Sequence, residues 1–119
     1  MRDFKELKVW QKAHQLVLGV YKIIRSFPKG EVYGLTSQMR NASTSIASNI
    51  AEGSGRGTDP EMVRFLWIAM GSAVEIEYRL LLARDLDYIN EMIHEQLTNE
   101  VAQIKRMLTS FIQELKANG

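Results

Sequence analysis

The sequence predicts an all-α protein, an antiparallel up-down-up-down four-helix bundle that self-associates. Three observations predict it. Apolar residues recur at steps of three and four through four successive segments. The breaks between segments are short and carry the Pro, Gly and Asn residues that stop or start helices, which forces sequential helices to lie as antiparallel neighbours. One segment, Met62 to Val74, is apolar on every side, although a four-helix bundle has no central helix to bury it. The 119 residues read as a single domain, residues 1–119, large enough to bury roughly two thirds of the unfolded surface.

The first helix is expected from about Phe4 to Phe27, stopped by Pro28 and Gly30. Leu7, Trp10, Val17, Tyr21 and Ile24, with Val9, Ala13, Leu16, Val20, Ile23 and Phe27, form one wide apolar arc, and Lys5, Lys8, Lys12, Lys22 and Arg25 project from the other half. Residues 1–30 hold seven cations (Arg2, Arg25, Lys29 and those four lysines) against Asp3 and Glu6, a net of +5 in a chain of net +1, so the remainder is −4. Such asymmetry points to a polyanion, with a solvated helix face as the alternative. His14, at the edge of the arc without an acidic or second histidine partner, reads as a packed or rim residue.

Residues 35–57 are unlike any other stretch: small and polar side chains fill what should be the second helix. Leu35, Met39, Ile46 and Ile50 make a narrow apolar stripe flanked by Ala42, Ser43, Ala47 and Ala51. Ser, Thr and Asn each cost a few tenths of a kcal/mol in a helix interior, and close approach by neighbouring helices is the return. A further stripe, Gln38, Asn41, Ser45, Asn49 and Glu52, is uncharged until its last member and suits a hydrogen-bonded seam better than a ligand site. The helix is expected to end near Gly53. The loop Gly53-Ser-Gly-Arg-Gly57 can supply a left-handed cap at Gly53, or it can cradle a phosphate through backbone N–H groups and Arg56, because it feeds a helix N-terminus. It lacks the terminal Gly-Lys-Ser/Thr of a nucleotide P-loop.

Thr58 and Glu61 have capping-box spacing at the start of the third helix, and Pro60 is tolerated in its first turn. Met62, Leu66, Ala69, Ala73, Ile76, Leu80 and Ala83 make the cleanest seam of the chain. Val63, Trp67, Met70 and Val74 form a second apolar face and Ile68 a third, so the second face is expected to be an oligomer interface. A surface for a different protein is the alternative. Glu75 and Arg79 have the spacing of a helical ion pair. Asp85 to Asn90 makes the turn, and Asn90 caps a fourth, outer helix. Its Ile93, Leu97, Val101, Ile104, Leu108, Phe111 and Leu115 keep to one face, and Glu95, Asn99, Gln103, Arg106 and Ser110 hold the other.

The chemistry-bearing residues are few. With no Cys there is no disulfide, thiol nucleophile or Cys-based zinc site, and His14 and His94 are each solitary, so no metal, cofactor or catalytic set is assigned. The charged start, Met1 to Lys8, and the lack of a long apolar run imply a cytoplasmic protein without membrane contact. In that compartment the Asn41-Ala-Ser43 sequon carries no glycan.

Several stretches carry a family resemblance: Phe4-Lys-Glu-Leu-Lys-Val-Trp-Gln11, Phe27-Pro28, Tyr33-Gly-Leu35, Gln38-Met-Arg40, Ser45-Ile-Ala-Ser-Asn-Ile-Ala-Glu-Gly53, Arg64-Phe-Leu66, Ala69-Met-Gly-Ser72 and Glu75. Together the chain resembles the bacterial four-helix-bundle proteins named after intervening sequences in 23S ribosomal RNA, and it is similar in design to the accessory variability protein of diversity-generating retroelements. The resemblance covers nearly the whole chain, while the segment after Ile89 matches in pattern alone. It implies a ring-like homo-oligomer, five chains in that family, and partnership with structured RNA, an RNA-processing protein or a reverse transcriptase. It brings no catalytic residues. The expected function is a non-enzymatic oligomeric module binding structured RNA or a ribonucleoprotein through the basic face of the first helix, with Arg56 as a further phosphate contact. A protein-interaction scaffold without nucleic acid is the alternative. A helical ribonuclease is disfavoured, because neither histidine follows an Arg at the four-to-six-residue spacing of the HEPN class.

Overall fold

Four α-helices form where the apolar spacing places them: α1 (Lys8–Ile24), α2 (Leu35–Ser54), α3 (Asp59–Asp85) and α4 (Glu91–Ala117), with 3-10 turns at Phe4–Glu6 and Lys29–Glu31. The computed structural model describes residues 2–118. α1 is shorter than its apolar arc at both ends. Leu7 is extended (φ −75°, ψ 123°) and separates the helix from the first turn, which Asp3 caps by accepting from the Lys5 amide at 3.0 Å. At the other end Pro28 disfavours helical backbone in Phe27, and the Ser26 hydroxyl donates to the Ile23 carbonyl at 3.0 Å.

α2 ends near Gly53 as expected, at Ser54, but the expected left-handed glycine cap is corrected: Gly55 follows the helix in right-handed backbone (φ −88°), and the positive φ falls on Gly57 (86°). Gly53 serves packing instead. A Cβ there would lie 2.8 Å from Cβ of Phe65 and 2.9 Å from Sδ of Met62, so its missing side chain admits α3.

The caps form in part as expected. Asn90 Oδ1 accepts from the Ile93 amide at 2.8 Å, and Thr58 Oγ1 accepts from the Glu61 amide at 3.4 Å. The Glu61 carboxylate, however, turns away to Arg64 (3.0 Å), because a guanidinium outbids a neutral amide for a charged oxygen. The expected Glu75–Arg79 pair does not form; Arg79 lies over the Tyr78 ring, 5.6 Å from its centroid.

α2 and α3 make the most extensive helix pairing, followed by α3 with α4, α1 with α2 and α1 with α4, while the backbones of α1 and α3, and of α2 and α4, stand apart across the diagonals of the core. All seven residues of the α3 seam are fully buried, in one core with Leu16 and Val20 of α1, Met39, Ile46 and Ile50 of α2, and Val101, Ile104 and Leu108 of α4. One end of the bundle is tied by Glu31. Its Oε2 accepts from the Tyr88 hydroxyl at 2.8 Å and its Oε1 from the Leu35 amide at 3.3 Å, which joins the α1–α2 and α3–α4 connections and serves the start of α2. No helix among the described residues is long and apolar enough to cross a membrane.

Candidate interaction surfaces

The cations of the first thirty residues divide into two groups on the surface. Lys5 and Lys8 are exposed at the start of the chain, and Lys22 and Arg25 are exposed at the far end of α1. Lys12 is half-buried on the flank that faces α4, near Glu100, whose carboxyl is pushed up by burial and drawn partly back by Lys12. None of these five cations forms an ion pair among the described residues. By contrast Arg2 pairs with Asp59, Arg56 with Glu52, Arg64 with Glu61, Arg84 with Asp85 and Lys105 with Glu77.

The outer surface of α1 is less purely basic than its pattern implies. Tyr21, placed by the spacing in the apolar arc, is 40% exposed, and Leu18, which belongs to neither stripe, is 58% exposed. Val17, Leu18, Tyr21, Lys22 and Arg25 line one shallow depression. Nearby, His14 stacks on Trp10 with parallel rings 5.0 Å apart, a rim position. The signal for this mixed surface was Leu18 itself, one helical turn after His14.

α3 presents its second apolar face to solvent. Trp67 and Val74 are half exposed, Val63 and Met70 partly so, and Tyr78 continues the same stripe one turn beyond Val74. A deep core seam and a largely bare apolar stripe thus occupy different sides of one helix.

The polar stripe of α2 crosses to α3 at its centre. The Ser72 hydroxyl donates to Ser45 Oγ at 2.8 Å, and the Asn49 amide donates to Ser45 Oγ at 3.0 Å and to the Ser45 carbonyl at 2.8 Å. Gln38 and Asn41 are exposed, and Glu52 holds Arg56 at 3.0 Å. Arg56 also lies over the Phe65 ring, 4.9 Å from its centroid. In the loop that follows, the Gly55 and Arg56 amides donate to the Glu52 and Gly53 carbonyls, and the first turn of α3 carries Asp59 and Glu61. The Arg64 hydrogen bond holds the Glu61 carboxyl below its usual range, so that turn stays anionic. Among the described residues no group of three or more His, Asp or Glu side chains could hold a metal ion.

Comparison with known proteins agrees with this architecture. The family model described as 23S rRNA-intervening sequence protein matches residues 5–110. No protein of curated function matches. Among solved structures, a protein with unknown function from the S23 ribosomal protein family of Bacteroides thetaiotaomicron VPI-5482 is 25% identical and superposes with a TM-score of 0.81. That alignment covers 87% of this chain and 97% of the other.

Proposed function

The chain belongs to the 23S rRNA-intervening sequence protein family, and on that footing we propose that it is a non-enzymatic oligomeric module that binds structured RNA or a ribonucleoprotein partner. In this reading each protomer is an up-down-up-down bundle, copies assemble through the outer face of α3 into a cyclic homo-oligomer, five chains following the family resemblance, and the cations of the first helix meet the polyanion in the cytoplasm. The observation that carries it is the set Lys5, Lys8, Lys12, Lys22 and Arg25, five cations without an ion pair among the described residues, in a chain whose remainder, residues 31–119, is net negative. Unpaired cations on one side of a protein are free to replace the counterions of a phosphate backbone. Repetition around a ring adds individually weak contacts through multivalency.

Arg56 is a weaker contributor in this reading, because a phosphate would have to compete with Glu52 for it. The test is binding of a hairpin RNA at two salt concentrations. Affinity that falls steeply with salt supports the reading, and absence of salt-dependent binding leaves the protein as an interaction scaffold.

A further inference from the structure

Resting on the RNA-binding reading above, we infer that the exposed flank of α1 takes unpaired bases, so that the part of the RNA it holds is a loop or a single strand and not a paired stem. Between Leu7 and Ala51 the chain carries six cations, Lys8, Lys12, Lys22, Arg25, Lys29 and Arg40, and one carboxylate, Glu31. That carboxylate is taken up by the Tyr88 hydroxyl and the Leu35 amide. None of the six cations forms an ion pair among the described residues. The side of the molecule made by α1 and most of α2 is therefore matched in charge to a phosphate backbone and not to an acidic surface of its own kind.

Cations alone do not tell a stem from a loop, because both present phosphates. The rings set among them do. His14, Leu18, Tyr21 and Arg25 follow one another at steps of four, three and four residues, a single stripe about 16 Å long on α1. All four are exposed, and Tyr21 shares one depression with Lys22 and Arg25. The His14 imidazole is held by one face. It stacks on Trp10 with rings 5.0 Å apart and 6° from parallel, and Trp10 is braced edge-on by Phe4, 4.9 Å away between centroids. An exposed ring held in this way offers its other face to a ligand without first having to be ordered. Exposed rings among unpaired cations are the pattern that holds single strands, the base stacking on the ring while a neighbouring phosphate meets the cation. In a paired stem each base face is covered by the next pair, so these rings find a partner only where bases are unpaired.

Binding of three RNAs matched in phosphate number, a blunt duplex, a hairpin and an unstructured strand, tests the assignment on the wild-type chain without any variant. The hairpin and the strand are expected to bind more tightly than the duplex at equal salt. Tyr21→Ala should weaken binding of the strand by about fivefold or more, the low end for loss of one stacked base, and leave the slope of log affinity against log salt unchanged. Lys22→Gln should instead lower that slope by about 0.7, the single-strand value for one phosphate. Tyr21→Phe keeps the ring and should bind as the wild type does. Thermal melting of each variant separates lost binding from lost fold. A duplex held as tightly as the strand overturns the inference, and so does wild-type affinity for the strand in a folded Tyr21→Ala variant. Absence of salt-dependent binding to all three RNAs defeats the RNA-binding reading itself, whereas equal binding to all three leaves that reading standing and defeats only the choice of unpaired bases.

Discussion

Gly53 shows how much one missing side chain decides. Its Cα stands where a methyl group would press into Phe65 and Met62, and the near contact includes the Phe65 Cβ, which cannot swing aside as a flexible side-chain end can. Gly53→Ala should therefore cost about 1 to 3 kcal/mol by overpacking, read as a lower denaturation midpoint. Ser43→Leu should behave alike, since Ser43 is fully buried and its hydroxyl already donates to the Arg40 carbonyl at 3.0 Å. Ala47→Leu tests the same side of α2 where 8% exposure remains, and a smaller loss is expected there.

Glu100 gives a pH-dependent counterpart at the same scale. Burial raises its carboxyl above the usual range and Lys12 opposes the shift, so the folded state favours the protonated form more than the unfolded chain does. The stability tied to that proton is present below the unfolded carboxyl range and is lost as pH rises through the folded value. Glu100→Gln should accordingly raise the denaturation midpoint at neutral pH and bring little change below about pH 4. Equal effects at both pH values would show that the carboxyl's charge carries no penalty.

At the scale of elements, the two capped starts differ in quality. Asn90 accepts the Ile93 amide at 2.8 Å, while the Thr58 bond is stretched to 3.4 Å and its reciprocal partner Glu61 is held by Arg64. Asn90→Ala should cost about 1 kcal/mol and Thr58→Ala less than that, both by chemical denaturation. The start of the chain and α1 carry the test of RNA contact. Lys5, Lys8 and Lys12 replaced together by Gln should weaken binding of a hairpin RNA and lower the slope of log affinity against log salt by about 2 to 3, at roughly 0.9 per phosphate neutralised. The lower figure fits the half-buried position of Lys12 beside Glu100. Unchanged melting would confirm that the fold does not depend on these charges.

For the whole molecule, the question is what covers α3. Trp67 is half exposed in a single chain, and its replacement removes nothing from the central core. Trp67→Asp should therefore leave the helical content intact while lowering the mass measured by light scattering toward that of one chain. A variant that keeps the wild-type mass would show that this face is not where copies meet.

Periodicity alone determined the four helices, because burial of an apolar stripe is a property of spacing that any neighbour can satisfy. The seam from Met62 to Ala83, the Asn90 cap and the bare second face of α3 were legible for that reason. Tertiary structure decided what depends on where neighbours stand. It made Gly53 a point of close approach to α3, placed Tyr21 and Leu18 on an outer surface, set Lys12 beside Glu100, and left Glu75 and Arg79 apart despite their spacing. A residue's spacing gives its direction on the helix, but which directions are filled depends on the side chains of three other helices. That α1 and α3 stand at opposite corners, with their apolar faces turned away from each other, follows from how the helices pack and not from any one segment.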